Sequence, residues 1–262
     1  MHRIVHLWQL GWDLTKRDLA QHYRGTVLGV LWPFLYSGML MILYTFVFSV
    51  ILKVRWSARA DALPSHGALS IFAGLVPYLF VAEVLTRAPV CISSVPNFVK
   101  KVRFPLIILP CVVVGSAAVL SLINTAFLIT AVLVLWGHIS ANALFLPLVY
   151  VPLLLFLAGS AWFMGALGVF FRDLTQITPL FAQVLMFLAP VCYPLSQVPS
   201  SFMRVIGLNP LTYFVTVFRD LILEGNTLDW SRWVWQVGIW GSFAVLGFLF
   251  FRRTRRLFAD LL

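Results

Sequence analysis

Charged residues are scarce in this 262-residue sequence. Asp, Glu, Lys and Arg make up 11% of the chain, whereas they make up about a quarter of a typical soluble protein. Hydrophobic residues make up 61%, which excludes an ordinary soluble domain and predicts an integral membrane protein. Cysteine is also rare. Cys91, Cys111 and Cys192 have no CxxC spacing, so they indicate neither a disulfide framework nor a metal site.

The sequence lacks the groups that nucleotide hydrolysis and metal chemistry need. A phosphate-binding GxxxxGK[ST] loop requires a Lys directly after a Gly, and no lysine here follows a glycine. The nine acidic residues form no DxD or DDxxD cluster, and no His/Glu ligand pair has helical spacing. Glu83 is the acidic candidate inside an apolar stretch, and it precedes Arg87 by four residues. This spacing favours an ion pair over an ion relay.

The apolar residues fall into six stretches that are long enough, or nearly so, to cross a hydrocarbon core of about 30 Å. The predicted spans are residues 26–52, 68–88, 104–136, 143–171, 177–195 and 234–251. The third is too long for an upright span, and Pro105 and Pro110 in its opening turns predict that it starts outside the hydrocarbon, tilts or bends. No cleavable signal peptide is evident, so we expect insertion through the first span.

Two further segments complete a single transmembrane domain over residues 1–262. Residues 1–24 separate into an apolar and a polar face, which predicts an amphipathic helix lying along the cytoplasmic interface. Near the apolar face lie Ile4, Leu7, Trp8, Gly11, Trp12 and Leu14, and largely away from it lie Arg3, Asp13, Lys16, Arg17 and Asp18. Residues 196–232 contain an apolar run that is too short to cross and is interrupted by Arg219 and Asp220. A re-entrant hairpin on the outer side fits this pattern best, with Asn209 and Pro210 as a turn or helix start. Residues 252–262 are predicted to form a cytoplasmic tail.

The basic residues predict the orientation, because Lys and Arg are retained on the cytoplasmic side during insertion. With the N-terminus inside, most of the 19 basic residues are cytoplasmic. The outer side keeps Lys53, Arg55, Arg59, Arg204, Arg219 and Arg232. Both termini are therefore predicted to be cytoplasmic.

The stretch VPNFVKKVRFPLIILP, residues 95–110, is predicted to be the cytoplasmic turn between the second and third spans. Pro96 suits the first turn of a short helix whose apolar and polar residues separate onto opposite sides. Such a helix could present its polar side to a partner. Alternatively, its cations enforce topology and meet anionic lipid headgroups.

Four motifs together resemble a known family. RDLAQHYRGTVLGVLWP at 17–33, the stretch at 95–110, FFRDLTQITPLFAQVLMFLAPVCYP at 170–194 and LNPLTYFVTVFRDLILEG at 208–225 resemble the permease subunits of type-2 ATP-binding-cassette exporters. The similarity is to the branch that exports O-antigen, capsule and teichoic-acid polysaccharides, and it extends over almost the whole chain. It implies a homodimer joined to two copies of a separate ATPase that uses ATP and Mg²⁺, and a glycan carried on a lipid diphosphate. The partners would include membrane lipids but no nucleic acid.

The resemblance also implies roles for particular residues. Asn97, Lys100, Lys101 and Arg103 would belong to a coupling helix that sits in a cleft of the ATPase. Arg172 and Asp173, at the cytoplasmic end of the fourth span, would extend this contact surface or else form a helix-end ion pair.

Aromatic residues make up 15% of the chain and suit the passage of a sugar polymer, since Tyr and Trp offer both ring faces and polar groups. By resemblance, spans one and five line the conduit. Tyr36, Tyr44 and Tyr193 are the predicted channel residues, because their hydroxyls would be poorly placed against lipid tails. Otherwise these rings fill lipid-facing or interhelical surfaces.

Lys16, Arg17 and Arg24 stand where the interfacial helix turns into the first span, at the headgroup depth of a lipid diphosphate. Ordinary headgroups would be met equally well. We therefore expect a transport subunit in the bacterial cytoplasmic membrane, moving lipid-linked polysaccharide. An exporter of a drug or a small lipid-like molecule shares the same architecture, and a membrane enzyme acting on lipid-linked sugar is the remaining alternative.

Overall fold

The computed structural model describes residues 2–23, 31–51, 56, 65–95 and 105–258. These residues form α-helices and shorter helical turns, with no strand among them. The helices are α1 His2–Tyr23, α2 Trp32–Thr45, α3 Ser65–Arg87, α4 Ile108–Trp136, α5 Leu146–Phe170, α6 Leu174–Leu188, α7 Met203–Leu208, α8 Pro210–Arg219 and α9 Trp230–Thr254.

Several of these helices continue into other helical turns. π-Helical turns follow α2 and α8, at Phe46–Ile51 and Asp220–Glu224. 3₁₀ turns follow α3 and α9, at Ala88–Val90 and Arg255–Leu257, and another precedes α5 at Ala141–Phe145.

Four helical segments in the described part are long and apolar enough to cross a membrane, namely Ser65–Val90, Ile108–Trp136, Ala141–Phe170 and Trp230–Leu257. Two shorter apolar helices, Trp32–Phe48 and Leu174–Leu188, overlap the first and fifth predicted spans. The prediction of an all-helical protein with apolar helices is confirmed. The count of six crossings and the re-entrant character of the hairpin stay predictions.

The helix ends follow the local sequence. α4 ends at Trp136, because the next residue, Gly137, has a φ of 74° in the left-handed region, where glycine is favoured. α6 ends at Leu188, before the predicted limit at residue 195, because Pro190 pushes Ala189 into an extended conformation. α8 begins as predicted: the Oδ1 of Asn209 accepts a hydrogen bond of 3.0 Å from the backbone N–H of Leu211, and Pro210 follows it.

α3 is the most enclosed helix of the bundle, and its middle residues are almost fully buried. It packs against α4, α8, α6 and α2. α5 and α9 pack at very short range, because glycines remove side chains from their contact. A Cβ built on Gly247 would lie 2.5 Å from the carbonyl oxygen of Gly159, so the helix backbones touch there.

The N-terminal helix is present as predicted, but small residues form its contact with the bundle. α1 lies against the start of α4, with Gly11 facing Ile108 and Thr15 facing Gly115. Trp12, which was expected on the apolar face, is half exposed and lies beside the ammonium of Lys16, 5.8 Å from its ring centroid. The side chains of Ile4, Leu7 and Trp8 lie outside the described residues.

Candidate functional site

The predicted coupling residues belong to two separate segments of the chain. Asn97, Lys100, Lys101 and Arg103 lie outside the described residues, so their role stays a prediction. Arg172 and Asp173 lie in the short turn between α5 and α6, and both side chains are exposed. Neither forms a salt bridge with another described residue, which leaves the alternative of a helix-end ion pair without support.

Arg87 joins three helices at one end of α3. Its Nη1 donates to Glu83 at 3.3 Å, which is the predicted ion pair, and to the hydroxyl of Ser116 in α4 at 3.1 Å. Its Nη2 donates to both carboxylate oxygens of Asp18 in α1, at 2.8 and 2.7 Å. This network therefore holds α1, α3 and α4 together directly before the segment 95–104.

A cavity of about 400 Å³ adjoins this network. Arg17, Asp18 and Gln21 line it from α1, and Arg87, Ser94 and the start of α4 complete it. The guanidinium of Arg17 could therefore contact a phosphate group in this cavity. Lys16 does not line the cavity and instead forms an exposed salt bridge of 3.0 Å with Asp13. Arg24 lies outside the described residues. The lipid-diphosphate role of all three residues stays a prediction.

Two of the three predicted channel tyrosines, Tyr36 and Tyr44, lie on α2. Tyr36 lines a groove together with Tyr78 of α3. The hydroxyl of Tyr44 donates to the sulfur of Met186 at 3.7 Å, which joins α2 to α6. Tyr193 follows the end of α6, and its hydroxyl donates to the carbonyl oxygen of Phe187 at 3.0 Å.

The faces of α2 and α6 carry many exposed apolar and aromatic side chains. In α2 these include Trp32, Phe34, Tyr36, Met39 and Ile42, and in α6 they include Ile177, Leu180, Phe181, Val184 and Phe187. Lipid or another copy of the chain could cover such a surface.

A groove of about 510 Å³ opens between α2, α3 and α4. Its aromatic lining comes from Trp32 and Tyr36 of α2 and from Tyr78 and Phe80 of α3. Polar lining comes from Glu83, Thr86, Ser121 and Asn124. The groove therefore combines ring faces with hydrogen-bonding groups.

The segment 196–232, which was predicted to be a hairpin, is attached to the bundle through Arg219. This side chain is 8% exposed, and its guanidinium donates to the carbonyl oxygens of Ser70, Pro190 and Val191. It also lies 4.7 Å from the ring centroid of Trp56, within cation–π range. Burial lowers the pKa of Arg219 to about 10, so the side chain remains charged at neutral pH.

The geometry contains no metal centre in the described ranges, since no group of three His, Cys, Asp or Glu side chains is placed to hold an ion.

Comparison with known protein families identifies the chain. The model of the family described as ABC-2 type transporter matches residues 9–223. The chain belongs to the ABC-2 type transporter family. It is therefore a transport subunit rather than an enzyme, and membership implies an ABC ATPase subunit as its partner.

Curated relatives of this ABC-2 chain agree with the family. It is 29% identical to the O-antigen export system permease protein RfbA of Myxococcus xanthus over 223 residues, which cover 83% of this chain and 81% of the relative. It is 24% identical to the protein of the same name from Klebsiella pneumoniae over 264 residues, which cover 100% of this chain and 98% of the relative.

Sequence reasoning missed three residues that organise this ABC-2 subunit. Asp18 and Arg219 were treated as a polar face and as an interruption of an apolar run, yet both make long-range contacts. Asn124 could have been identified from the sequence, because it is a polar residue in the middle of an apolar span. Such residues are costly in a membrane and are commonly functional.

Proposed function

We propose that this chain is the transmembrane subunit of an ATP-driven polysaccharide exporter. The observation that supports the proposal most strongly is the similarity to a relative named as an O-antigen export permease. The aligned region covers 100% of this chain at 24% identity. The substrate would be an O-antigen or capsule type of polymer carried on a lipid diphosphate. The location would be the bacterial cytoplasmic (inner) membrane, with both termini in the cytoplasm.

The working assembly in this proposal is a homodimer with two ATPase subunits. The exposed apolar faces of α2 and α6 support it, because these helices contact each other through Tyr44 and Met186. Two copies facing each other through these helices would enclose a conduit with aromatic walls. Residues 95–104 would receive motion from the ATPase, and Arg87 would pass it to α1 and α4.

Deletion of the gene, followed by complementation, tests this function. We expect long-chain polysaccharide to disappear from the cell surface and lipid-linked polymer to accumulate inside, with rescue by the wild-type gene. The double variant Lys100→Glu/Lys101→Glu should fail to rescue. Arg232→Glu is the matched control, since Arg232 is exposed and pairs with Asp229 in the hairpin region, and it should rescue.

The outcomes separate the alternatives. Unchanged surface polysaccharide without internal accumulation would reject the glycan and favour an exporter of a drug or a small lipid-like molecule. Full rescue by the double variant would instead assign Lys100 and Lys101 to topology alone. Turnover of lipid-linked sugar by the purified chain without its ATPase would favour an enzyme.

A further inference from the structure

The groove between α2, α3 and α4 contains a hydrogen-bond donor that the fold does not use. Asn124 lies in the middle of α4 and is 9% exposed, and its Oδ1 accepts a hydrogen bond of 2.5 Å from the hydroxyl of Ser37 in α2. Its Nδ2 donates to no other residue in the described ranges, yet this nitrogen is not sealed within the protein. Because Asn124 lines the groove, the groove reaches the amide.

The walls of the groove also offer aromatic ring faces. Trp32, Tyr36 and Tyr78 contribute aromatic rings from two helices. Their indole N–H and two hydroxyls make no hydrogen bond with a described residue. Glu83 adds a carboxylate toward the end of α3 that carries Arg87.

This combination matches the chemistry of a sugar ring. The C–H faces of a pyranose pack on aromatic rings, and its hydroxyls pair with amide donors and carboxylate acceptors. The volume of about 510 Å³ lies within the range of small-molecule sites, about 300–1,000 Å³. A lipid tail would fit less well, because it would leave the Asn124 amide facing hydrocarbon without a partner.

We propose that this groove is a recognition subsite for a single pyranose unit of the exported glycan. The inference rests on the proposed function and adds a location between three helices of one copy of the chain, next to the α2 surface where two copies would meet. In this subsite Asn124 donates to a sugar hydroxyl, and Trp32, Tyr36 and Tyr78 stack on the ring. Ser37 positions Asn124 by occupying its Oδ1.

Photo-crosslinking in cells that make the polymer tests the subsite. Benzoylphenylalanine is placed at Tyr78 in the groove, at Phe181 on the exposed face of α6, or at Trp235 on the exposed face of α9. Each full-length chain is expressed with its ATPase, irradiated, purified and stained for glycan. We expect glycan adducts at positions 78 and 181 and lipid adducts alone at position 235.

The three positions distinguish the failure of this inference from the failure of the proposed function. Glycan at position 181 with lipid or no adduct at position 78 would overturn the subsite and leave polysaccharide export intact. No glycan at any position, together with unchanged surface polysaccharide in the deletion strain, would overturn both.

A substitution provides a second readout. Asn124→Leu should lower the glycan adduct at position 78 by about fivefold to tenfold, as expected for the loss of one hydrogen bond. Thr130→Val is the control, because it removes a hydroxyl of α4 that bonds to the Ala126 carbonyl and does not line the groove. This variant should keep the adduct within about twofold. Equal adduct yields from the two variants, at equal amounts of purified chain, would contradict the role of Asn124.

Discussion

Both carboxylate oxygens of Asp18 accept hydrogen bonds from a single nitrogen, the Nη2 of Arg87. The two residues are 69 positions apart in the sequence, and their side chains are about one-quarter exposed. The pair is therefore shielded more than a surface ion pair, and it fixes an amphipathic helix to the bundle at a defined point.

The substitution Asp18→Asn should loosen this attachment. The carboxylate would become a neutral amide that can accept through one oxygen, so a charged hydrogen bond is lost at a cost of about 1.5–3 kcal/mol. We expect a lower melting temperature of the detergent-purified chain and faster proteolysis of α1. Asp13→Asn is the matched control, since Asp13 pairs with Lys16 at a well-exposed site and should change little. Equal effects would contradict a special role for the Asp18–Arg87 pair.

Arg219→Lys should release the hairpin from the end of α6. Lysine keeps the charge, but its single ammonium cannot reproduce the planar donor geometry that serves Ser70, Pro190 and Val191. The uncovered carbonyl oxygens should lower the free energy of unfolding by roughly 3 kcal/mol. The measurement is the melting temperature together with maleimide labelling of a cysteine placed at Thr216.

Arg232→Lys is the control for this prediction, because Arg232 is exposed on the next helix and pairs with Asp229. It should leave both the melting temperature and the labelling unchanged. An Arg219→Lys chain as stable as the wild type would show that the carbonyl contacts are replaceable by water.

The sequence predicted local relationships well, because they follow from helix geometry. The spacing of Glu83 and Arg87 predicted an ion pair, and the structure contains it at 3.3 Å. Asn209 and Pro210 predicted a helix start, and Asn209 caps α8.

Contacts between distant elements were not predictable in the same way. Asp18 had a local neighbour of opposite charge in Arg17, and nothing in the sequence pointed to Arg87 instead. Arg219 was read as a polar break, because a pattern of hydrophobicity does not reveal backbone carbonyls at the end of another helix. Tyr78, which lines the groove with the predicted Tyr36, was missed for the same reason: the groove is formed by three helices and exists only after they pack.

Gly159→Leu should separate α5 from α9. A Cβ on Gly159 would lie 2.7 Å from a ring carbon of Phe243 and 3.0 Å from the Cα of Ala244, so a larger side chain must push the helices apart. We expect the free energy of unfolding to fall by several kcal/mol. The measurement is the yield of monodisperse chain in size-exclusion chromatography, which should be low. Gly238→Leu is the control in α9, where a Cβ meets no atom within 4 Å. A normal yield from Gly159→Leu would refute the close packing.

Reporter fusions should establish the orientation. A fluorescent protein that folds in the cytoplasm should fluoresce when fused after residue 262. Alkaline phosphatase inserted after Asn226, in the exposed turn before α9, should be active because this turn is predicted to be outside. Active phosphatase after residue 262 would reverse the predicted topology.

The two ends of α3 are each held by an arginine. At one end of the helix, Arg87 donates hydrogen bonds to Asp18 of α1. Seventeen residues away, the carbonyl oxygen of Ser70 accepts a hydrogen bond from Arg219. At 1.5 Å per residue these anchor points are about 25 Å apart. In the proposed function, α3 would therefore move as one rigid element. A displacement applied where residues 95–104 begin would reach the opposite end of the bundle without any helix having to unfold.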